Sequence, residues 1–429
     1  MSVSVMYEVF LRNYPNRGNL RSLAHDLKRL KELGVDCIWL MPITYAGKNG
    51  RKGLFGSPYA SRDYLVIDPM YGSLQEFTLL ANRCHDFGMK LMVDIVFHHC
   101  ALDSSLLNNH GDWILKDDEG RFTRKIADWS DVYDLDFRVD ELSDYLIEAL
   151  KKWVERGVDG FRCDVAPLIP HSFWQKAREQ LNAINPDLIW LAESVEKKFI
   201  QRCHKKGWLC SEDKELYPVF DLTYDYDLYE NWRQAIKDRQ FLFSYLDELE
   251  RQWEWLPHPA GKMRFLENHD QLRAAHLIDD YCQMQNWIAW MASLPGAFLL
   301  YQGQEFGASE SISLFDPHIT QFPSDDNALK YNRFYQDVIT WKKQLPQAEI
   351  PRLGRDEEKA VVWLAYSDSD KEFLAFFNFY NQSGSIVIPA DLRGRYMDWF
   401  TREPVDLTEE TMSLCSEPTL LWRSKGEIV

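Results

Sequence analysis

The sequence lacks several features that would assign it to a special class of protein. Its eight cysteines are scattered, with no CxxC pair and no spacing typical of zinc ligands, so neither a disulfide framework nor a zinc site is indicated. No stretch approaches the roughly 18 uninterrupted apolar residues of a membrane helix. The first residues form neither a basic segment nor a long apolar one. We therefore predict a soluble, cytoplasmic protein.

An excess of positive charge is also missing. The chain has 49 Lys and Arg against 66 Asp and Glu, which gives a formal net charge of −17. A surface this acidic repels phosphate backbones and anionic lipid, so the composition argues against nucleic acid and membrane surfaces as partners. We expect a neutral substrate, and the sequence leaves open whether the protein is a monomer or a homodimer.

The chain is long and rich in aromatic residues. Aromatic side chains make up 14% of the residues, including 16 Trp and 20 Tyr. Polar-tipped aromatics suit both core packing and contact with sugar rings, and composition alone does not choose between the two. At 429 residues the chain exceeds one ordinary core, so we predict one large domain and a smaller one.

Short apolar runs alternate with amphipathic runs over most of the chain. The apolar runs predict strands at residues 5–11, 37–41, 91–97, 160–164, 188–193, 219–223, 263–267 and 297–301. The amphipathic runs predict helices at residues 20–33, 74–87, 141–156, 173–184, 241–255, 282–291 and 332–345. Eight near-continuous apolar strands separated by helices are typical of an α/β protein with a parallel (β/α)8 TIM barrel.

Two segments depart from this alternation. Residues 98–136 are rich in Asp, Asn, Trp and His and have no sustained period, which predicts a short insertion domain after the third strand. Residues 346–429 contain short β-like runs between turn residues, which predicts a C-terminal antiparallel β domain, a β-sandwich. The barrel would then comprise residues 1–97 and 137–345.

A barrel of this kind places its active site at the C-terminal ends of the strands. The polar residues at or after these ends are Tyr59, His98, His99, Arg162, Asp164, Glu193, His269 and Asp270. Arg162 and Asp164 share one face of a strand, so the guanidinium can reach the carboxylate and is expected to lower its pKa. A lone Arg-x-Asp pair is typical of a structural salt bridge, but three carboxylates at independent strand ends favour a catalytic site.

Four segments resemble, in order, the signature regions of the α-amylase family of glycoside hydrolases: DIVFHH (94–99), GFRCD (160–164), LAES (191–194) and FLENHD (265–270). Further similarity lies in YEVFLRNY (7–14), GSPYASRDYLVIDPMYGS (56–73), YDLDF (133–137) and LPGAFLLYQGQEFG (294–307). Each match is weak by itself, whereas the ordered set is specific. The resemblance implies a (β/α)8 barrel with a domain inserted after strand three and a C-terminal β domain.

The resemblance also implies roles for the three acids. Asp164 would be the nucleophile, Glu193 the general acid/base, and Asp270 a carboxylate that binds sugar hydroxyls and stabilises the transition state. Cleavage of a glycosidic bond needs one carboxylate that attacks the anomeric carbon and one protonated acid that assists the leaving oxygen. We therefore expect burial and the neighbouring acids to raise the pKa of Glu193.

Four further residues would bind the reacting sugar. By the same resemblance, Arg162, His99 and His269 would bind the glucosyl ring, and Tyr59 would stack on its face. Asp94, inside strand three, is interpreted as a structural hydrogen-bond partner.

We assign no metal site and no required cofactor from the sequence, and calcium stays open although its usual ligand pattern is not intact. His98 and His99 next to Asp94 suggest a metal site, but adjacent residues on a strand point to opposite faces, which argues against a shared ion. Calcium-binding family members usually carry Asn where this chain has His98, a poor ligand for a hard cation. The loop at residues 12–18 also lacks the Asp-rich calcium pattern of some relatives.

The predicted function is hydrolysis of α-glucosidic bonds with retention of configuration. Pro167 and Leu168 stand where many amylases have Lys-His or His, and the insertion is short, which favours malto-oligosaccharides or other small α-glucosides over starch granules. A transglycosylase or glucosyl isomerase with the same apparatus stays open as an alternative. A non-catalytic binding or assembly subunit is disfavoured because all three carboxylates are present.

Overall fold

Within residues 3–16, 18–256, 261–346 and 349–425, which the computed structural model describes, the chain forms 18 β-strands and 12 α-helices. The predicted domains also include residues 1, 2, 17, 257–260, 347, 348 and 426–429, which lie outside the described residues. The strands are β1 (Val5–Val9), β2 (Cys37–Leu40), β3 (Lys90–Ile95), β4 (His99–Ala101), β5 (Val132–Asp134), β6 (Gly160–Cys163), β7 (Ile189–Ala192), β8 (Leu222–Tyr224), β9 (Gly261–Arg264), β10 (Ala297–Tyr301), β11 (Arg352–Asp356), β12 (Val361–Ser367), β13 (Lys371–Phe377), β14 (Ser385–Val387), β15 (Arg395–Asp398), β16 (Pro404–Asp406), β17 (Thr411–Ser413) and β18 (Thr419–Ser424).

The helices lie mostly between the barrel strands. They are α1 (Leu20–Leu33), α2 (Leu74–Asp86), α3 (Ser105–Asn109), α4 (Asp140–Glu155), α5 (His171–Asn182), α6 (Lys197–Lys205), α7 (Asp213–Leu216), α8 (Tyr226–Lys237), α9 (Leu242–Trp255), α10 (Ala274–Leu277), α11 (Tyr281–Ser293) and α12 (Asp326–Gln344). In the described part of the chain, none of them has the length and apolar character to cross a membrane.

Eight strands close into the predicted parallel barrel. Around the barrel the order is β1, β2, β3, β6, β7, β8, β9, β10 and back to β1, and every neighbouring pair is parallel. Strands of such a barrel are covered by helices outside and by packed side chains inside. This is why they appear in the sequence as continuous apolar runs, and the predicted fold class is confirmed.

Helix α1 illustrates how the local sequence sets the ends of an element. The Asn19 side chain accepts a hydrogen bond from the Ser22 amide, and the Ser22 hydroxyl accepts one from the Asn19 amide, so the first turn is capped. The helix ends at Gly34, whose φ of 100° is in the left-handed region that favours glycine. The leucines predicted for its inner face are all buried: Leu20, Leu23, Leu27, Leu30 and Leu33.

The structure differs from the sequence prediction mainly around the sixth barrel strand. This strand was predicted at residues 219–223 but lies at Leu222–Tyr224, so Tyr224 ends it. Helices α6 and α7 follow the fifth strand, where no helix was predicted, and α8 precedes the predicted helix at residues 241–255 in the stretch after the sixth strand. Helix α8 buries Tyr226, Tyr229 and Trp232. Aromatic residues have lower helix propensity than leucine, which weakens the pattern in the sequence.

The insertion after β3 is small and is attached to the barrel by a two-stranded ribbon. Strands β4 and β5 pair antiparallel, with His99 opposite Asp134, and the short helix α3 lies between them in the chain. Strand β3 ends at Ile95, two residues earlier than predicted. His99 therefore belongs to the ribbon and not to the barrel strand.

The C-terminal β domain consists of a six-stranded antiparallel sheet, ordered β11-β12-β13-β18-β15-β16, and a ribbon of β14 and β17. One face of the large sheet, including Leu364 and Phe377, packs against the barrel core. The other face, including Leu374 and Leu421, packs with Ile386 of the ribbon. The predicted antiparallel domain is thus confirmed, and its sheet shares a continuous core with the barrel.

Trp290 of α11 links the two domains and provides a stability test. Its side chain is fully buried, its indole N–H donates to the Tyr245 hydroxyl at 2.9 Å, and its ring centroid lies 5.1 Å from that of Phe377. Trp290→Ala leaves a large cavity, so we expect the free energy of unfolding to fall by about 3–5 kcal/mol in urea denaturation. Leu79→Ala, on the exposed face of α2, is the control and is expected to change stability by less than about 0.5 kcal/mol. Equal unfolding midpoints for the two variants would contradict this packing role.

Candidate active site

The predicted site residues gather at the C-terminal end of the barrel. Asp164 directly follows β6 and Glu193 directly follows β7. They face one cavity of about 340 Å³ that is also lined by four other predicted residues: Tyr59, His99, His269 and Asp270. The seventh residue, Arg162, lies beneath the cavity with a fully buried side chain. Residues that are far apart in the sequence therefore surround a single space.

Arg162 contacts three carboxylates at once. Its Nη1 lies 2.7 Å from Asp164 Oδ1 and 3.0 Å from Asp94 Oδ1, and its Nη2 lies 3.0 Å from Glu193 Oε1. Its Nε donates to the Tyr224 hydroxyl at 3.1 Å. The expected contact with Asp164 is present, but the shared contact with Asp94 and Glu193 was not predicted. One guanidinium thus holds the acids of three neighbouring strands.

The pKa values of the two principal acids are both raised, but to different extents. Burial raises the pKa of Glu193 to about 8, against the opposing charge of Arg162 and with further upward contributions from Asp164 and Asp270. Burial also raises the pKa of Asp164 to about 6, because it outweighs the lowering by Arg162. Arg162 lowers the pKa of Asp164, as predicted, but the larger effect of burial was not predicted. At neutral pH Asp164 is nevertheless mostly ionised and Glu193 mostly protonated.

The turn after Asp164 directs the backbone N–H of Val165 toward Glu193. Val165 has a φ of 37°, a left-handed conformation that is unusual for a β-branched residue. Its N–H donates to Glu193 Oε2 at 2.7 Å. Oε2 of Glu193 is thus hydrogen-bonded to the backbone, and Oε1 lies within ion-pair distance of Arg162.

A chain of hydrogen bonds places Tyr59 beside the cavity. Its hydroxyl donates to Asp94 Oδ2 at 3.0 Å and accepts from His269 Nε2 at 2.8 Å. The two rings stack with centroids 5.3 Å apart. His269 Nδ1 is bonded to Glu8. Burial lowers the pKa of His269, but Asp270 and Glu8 raise it more, so the pKa lies well above its usual value and the ring carries a positive charge.

His99 lines the cavity but has both ring nitrogens engaged by the protein. Its Nε2 donates to the Tyr59 carbonyl at 3.1 Å, and its Nδ1 lies 3.2 Å from Nδ1 of His98. Burial lowers the pKa of both rings, so both are neutral. The prediction that the two side chains point to opposite faces was wrong, because the barrel strand ends at Ile95 and the two rings meet in the connection that follows.

One acidic side chain, that of Asp134, lies within ion-pair distance of His98. His98 Nε2 lies 3.8 Å from Asp134 Oδ2, and Asp134 Oδ1 is buried without a hydrogen-bond partner. One carboxylate beside an imidazole does not provide the six to eight oxygens that calcium takes. Over residues 3–16, 18–256, 261–346 and 349–425, no group of three or more His, Cys, Asp or Glu side chains is arranged to hold a metal.

Several contributors to the site were not identified from the sequence. Glu8 holds His269, Tyr224 holds Arg162, and Lys52, Trp129 and Phe315 line the cavity. Glu8 is an acid inside an otherwise apolar barrel strand, a signal that was visible in the sequence. The wall residues come from loops whose packing has no local pattern. Asp94 bonds Arg162 and Tyr59 and is fully buried, which agrees with its interpretation as a hydrogen-bond partner.

The chain belongs to the α-amylase family and is a glycosidase. The family model of the alpha-amylase catalytic domain matches residues 10–112 and 108–382, and this range contains the whole barrel after β1. The predicted family membership and enzyme class are thereby confirmed.

Several known proteins resemble this chain along nearly its whole length. The crystal structure of an alpha-amylase from Lactobacillus plantarum shares 38% identity with a TM-score of 0.92, and the match covers 98% of both chains. A noncanonic maltogenic alpha-amylase from Thermotoga neapolitana shares 32% identity with a TM-score of 0.87, again over 98% of both chains. A cyclomaltodextrinase of Geobacillus thermopakistaniensis is 24% identical over 94% of this chain and 69% of its own length.

The two raised pKa values predict a bell-shaped dependence of kcat/KM on pH. We expect kcat/KM for maltotriose to rise as Asp164 loses its proton near about 6 and to fall as Glu193 loses its proton near about 8. The charge of Asp94 raises the pKa of Asp164, so Asp94→Asn is expected to move the acidic limb to lower pH. Asp118→Asn, in an exposed turn of the insertion, is the control. An acidic limb at the same pH in both variants would refute the coupling between Asp94 and Asp164.

Proposed function

We propose that the enzyme hydrolyses α-1,4-linked malto-oligosaccharides with retention of configuration, using Asp164 as the nucleophile and Glu193 as the general acid/base. The observation that carries the proposal is the shared contact of Arg162 with two acids whose pKa values are separated, one near 6 and one near 8. Environments that push two carboxyl pKa values apart are typical of an acid and nucleophile pair. The substrate class is supported by the names of relatives, which include maltogenic alpha-amylase and cyclomaltodextrinase.

The strand register supports a retaining mechanism. Cys163 and Ala192 are paired in register on β6 and β7, so the next residues, Asp164 and Glu193, lie side by side. Neighbouring strands are about 4.8 Å apart, close to the separation of about 5–5.5 Å between the carboxyls of retaining enzymes. An inverting enzyme needs a wider gap that admits water between the acids.

The reaction would proceed in two displacements. The Asp164 carboxylate attacks the anomeric carbon, while Glu193 donates its proton to the leaving glycosidic oxygen, and a glycosyl-Asp164 ester results. Glu193, now ionised, takes a proton from water, and the resulting hydroxide attacks the same carbon and releases Asp164. Arg162 stabilises whichever of the two carboxylates is charged at each step.

The remaining predicted residues would hold the reacting ring. Tyr59 supplies an aromatic face, and the fixed position of its hydroxyl between Asp94 and His269 keeps that face oriented. Asp270 is the most exposed of the three acids, and His269 lowers its pKa although burial raises it, so it is available as an ionised acceptor for sugar hydroxyls. His99 contributes by fixing the backbone of Tyr59.

The proposal includes no cofactor and no calcium requirement, since the oxygen ligands of a calcium site are incomplete beside His98. It also places the enzyme in the cytoplasm, as a monomer or a homodimer. The eight cysteines are unpaired thiols, which suits a reducing compartment.

Asp164→Asn tests the assignment of the nucleophile. Without an ionised oxygen the ester cannot form, so we expect turnover of maltotriose to fall by at least about 10⁴-fold. The stabilisation by maltotriose in thermal unfolding should persist, because the fold and the ring contacts remain. The control is Asp118→Asn, which should turn over like the unsubstituted enzyme.

The products of maltotriose test the choice of hydrolysis. Chromatography with size standards is expected to show glucose and maltose only. Saccharides longer than the trisaccharide would instead mean that a sugar hydroxyl replaces water, and full activity in Asp164→Asn would reject the nucleophile.

Removal of divalent ions tests the absence of a calcium requirement. An ion present at 100 times its Kd would contribute about 2.7 kcal/mol to stability. We expect excess EDTA to leave both the midpoint of thermal unfolding and the rate with maltotriose unchanged, and added calcium to raise neither. A lower midpoint in EDTA that calcium restores would show that a site exists.

A further inference from the structure

Two loops meet on the side of the catalytic cavity that lies opposite Glu193. One loop, residues 47–57, follows β2, and the other, residues 313–316, follows β10; together we call them the loop wall. In the barrel order, β7 is four strands away from β1 in either direction. The two loops come from the strands that flank β1. Glu193, at the end of β7, therefore faces the loop wall across the cavity.

The loop wall is held together by direct bonds between its two loops. The Phe55 amide donates to the Phe315 carbonyl at 2.9 Å, and the Leu54 amide donates to Asp316 Oδ1 at 2.8 Å. A side chain at Gly53 would meet the Phe315 backbone oxygen at 2.9 Å, so only glycine permits this approach. The two loops are therefore in direct contact at residues 53–55 and 315–316.

The Arg12 side chain hydrogen-bonds to both loops of the loop wall. Its Nη1 donates to the Gly56 carbonyl at 3.0 Å and to the Leu314 carbonyl at 3.1 Å, one in each loop. The guanidinium also lies 5.2 Å from the centroid of the Phe55 ring. Arg12 is only 6% exposed, and a buried cation that binds two carbonyls holds both loops in place.

Lys52 connects the loop wall to the insertion. Its ammonium group donates to the Asp128 carbonyl at 2.9 Å and lies 3.6 Å from Asp131. Lys52, Leu314 and Phe315 all line the cavity. The barrier is therefore continuous from the insertion, across the β2 loop, to the β10 loop.

The orientation of the substrate follows from the position of the acid. Glu193 must reach the glycosidic oxygen, so the leaving sugar lies on the Glu193 side. In an α-1,4-linked glucose unit the oxygen at C4 is at the opposite end of the ring from C1, and any further sugar toward the non-reducing end would project at the loop wall. The cavity volume of about 340 Å³ is at the lower end of the range of about 300–1,000 Å³ that is typical of ligand pockets.

We infer that the loop wall, fastened by Arg12 and Asp316, restricts the enzyme to exo attack from the non-reducing end of the chain. This inference rests on the proposed function and adds the direction of attack to it. The reacting ring, with at most one further sugar, is enclosed between Glu193 and the loop wall, and the rest of the chain extends on the leaving-group side.

The test compares two forms of p-nitrophenyl α-maltoheptaoside, one free and one with an ethylidene acetal on the non-reducing end. The acetal would clash with the loop wall, so we expect cleavage of the blocked form to be at least about 100-fold slower than cleavage of the free form. Equal rates would overturn the inference while leaving the proposed function intact. Cleavage of neither form would overturn the proposed function and the inference with it.

Asp316→Ala removes the side-chain acceptor that joins the two loops. Asp316 is not among the residues that line the cavity. We expect the ratio of blocked to free cleavage to rise about tenfold, the factor that the loss of one charge-assisted hydrogen bond gives. Asp118→Ala is the matched control, because it removes an exposed aspartate in the insertion. An unchanged ratio in a folded Asp316→Ala enzyme would overturn the role of this bond, and the comparison on the unsubstituted enzyme is decisive even if that variant does not fold.

Discussion

The site depends on one buried guanidinium that is shared by three carboxylates. Three buried acids crowded around one cavity would each lose hydration and would repel one another. Arg162 offsets part of this cost at Asp94, Asp164 and Glu193 together, and for that reason it cannot fully compensate any of them. The pKa values consequently spread, with Glu193 near 8, Asp94 near 7 and Asp164 near 6. Burial makes all three acids weaker, and the differences in their partners create an order in which one holds a proton and another loses it.

A chain of hydrogen bonds that begins at Glu8 supports the group of acids around Arg162. Glu8 bonds His269, His269 donates to Tyr59, and Tyr59 donates to Asp94, so the charge on the histidine is tied to an acid that Arg162 also holds. Every donor in this chain has its acceptor inside the protein. The arrangement fixes the aromatic face of Tyr59, and it explains why an acid occurs in the apolar strand β1. Rigid support of this kind reduces the reorganisation needed during the reaction.

The sequence was informative where a pattern depends on local geometry. Continuous apolar strands with acids after them are sufficient to predict a barrel with a catalytic end, and Asp164 and Glu193 follow from that rule. The sequence did not predict properties that depend on a balance of opposing energies in the folded protein. The sign of the pKa change at Asp164 depends on burial against a shared Arg162, and this balance exists only in three dimensions. The contact between His98 and His99 was missed because the two were treated as adjacent residues of one strand, whereas β3 ends at Ile95 and β4 begins at His99.

The chemistry and the direction of attack are encoded in different parts of the chain. Glu193 and Asp164 come from barrel strands, whose register is fixed by backbone pairing and by a continuous core. The loop wall is held instead by a few specific contacts, of which those of Arg12 and Asp316 are the most directional. The residues that these contacts join, such as Gly56 and Leu314, lie outside the barrel strands. Loops can therefore change how much of a sugar chain fits on the non-reducing side without disturbing the acids, which is how one catalytic arrangement is able to serve enzymes with different products.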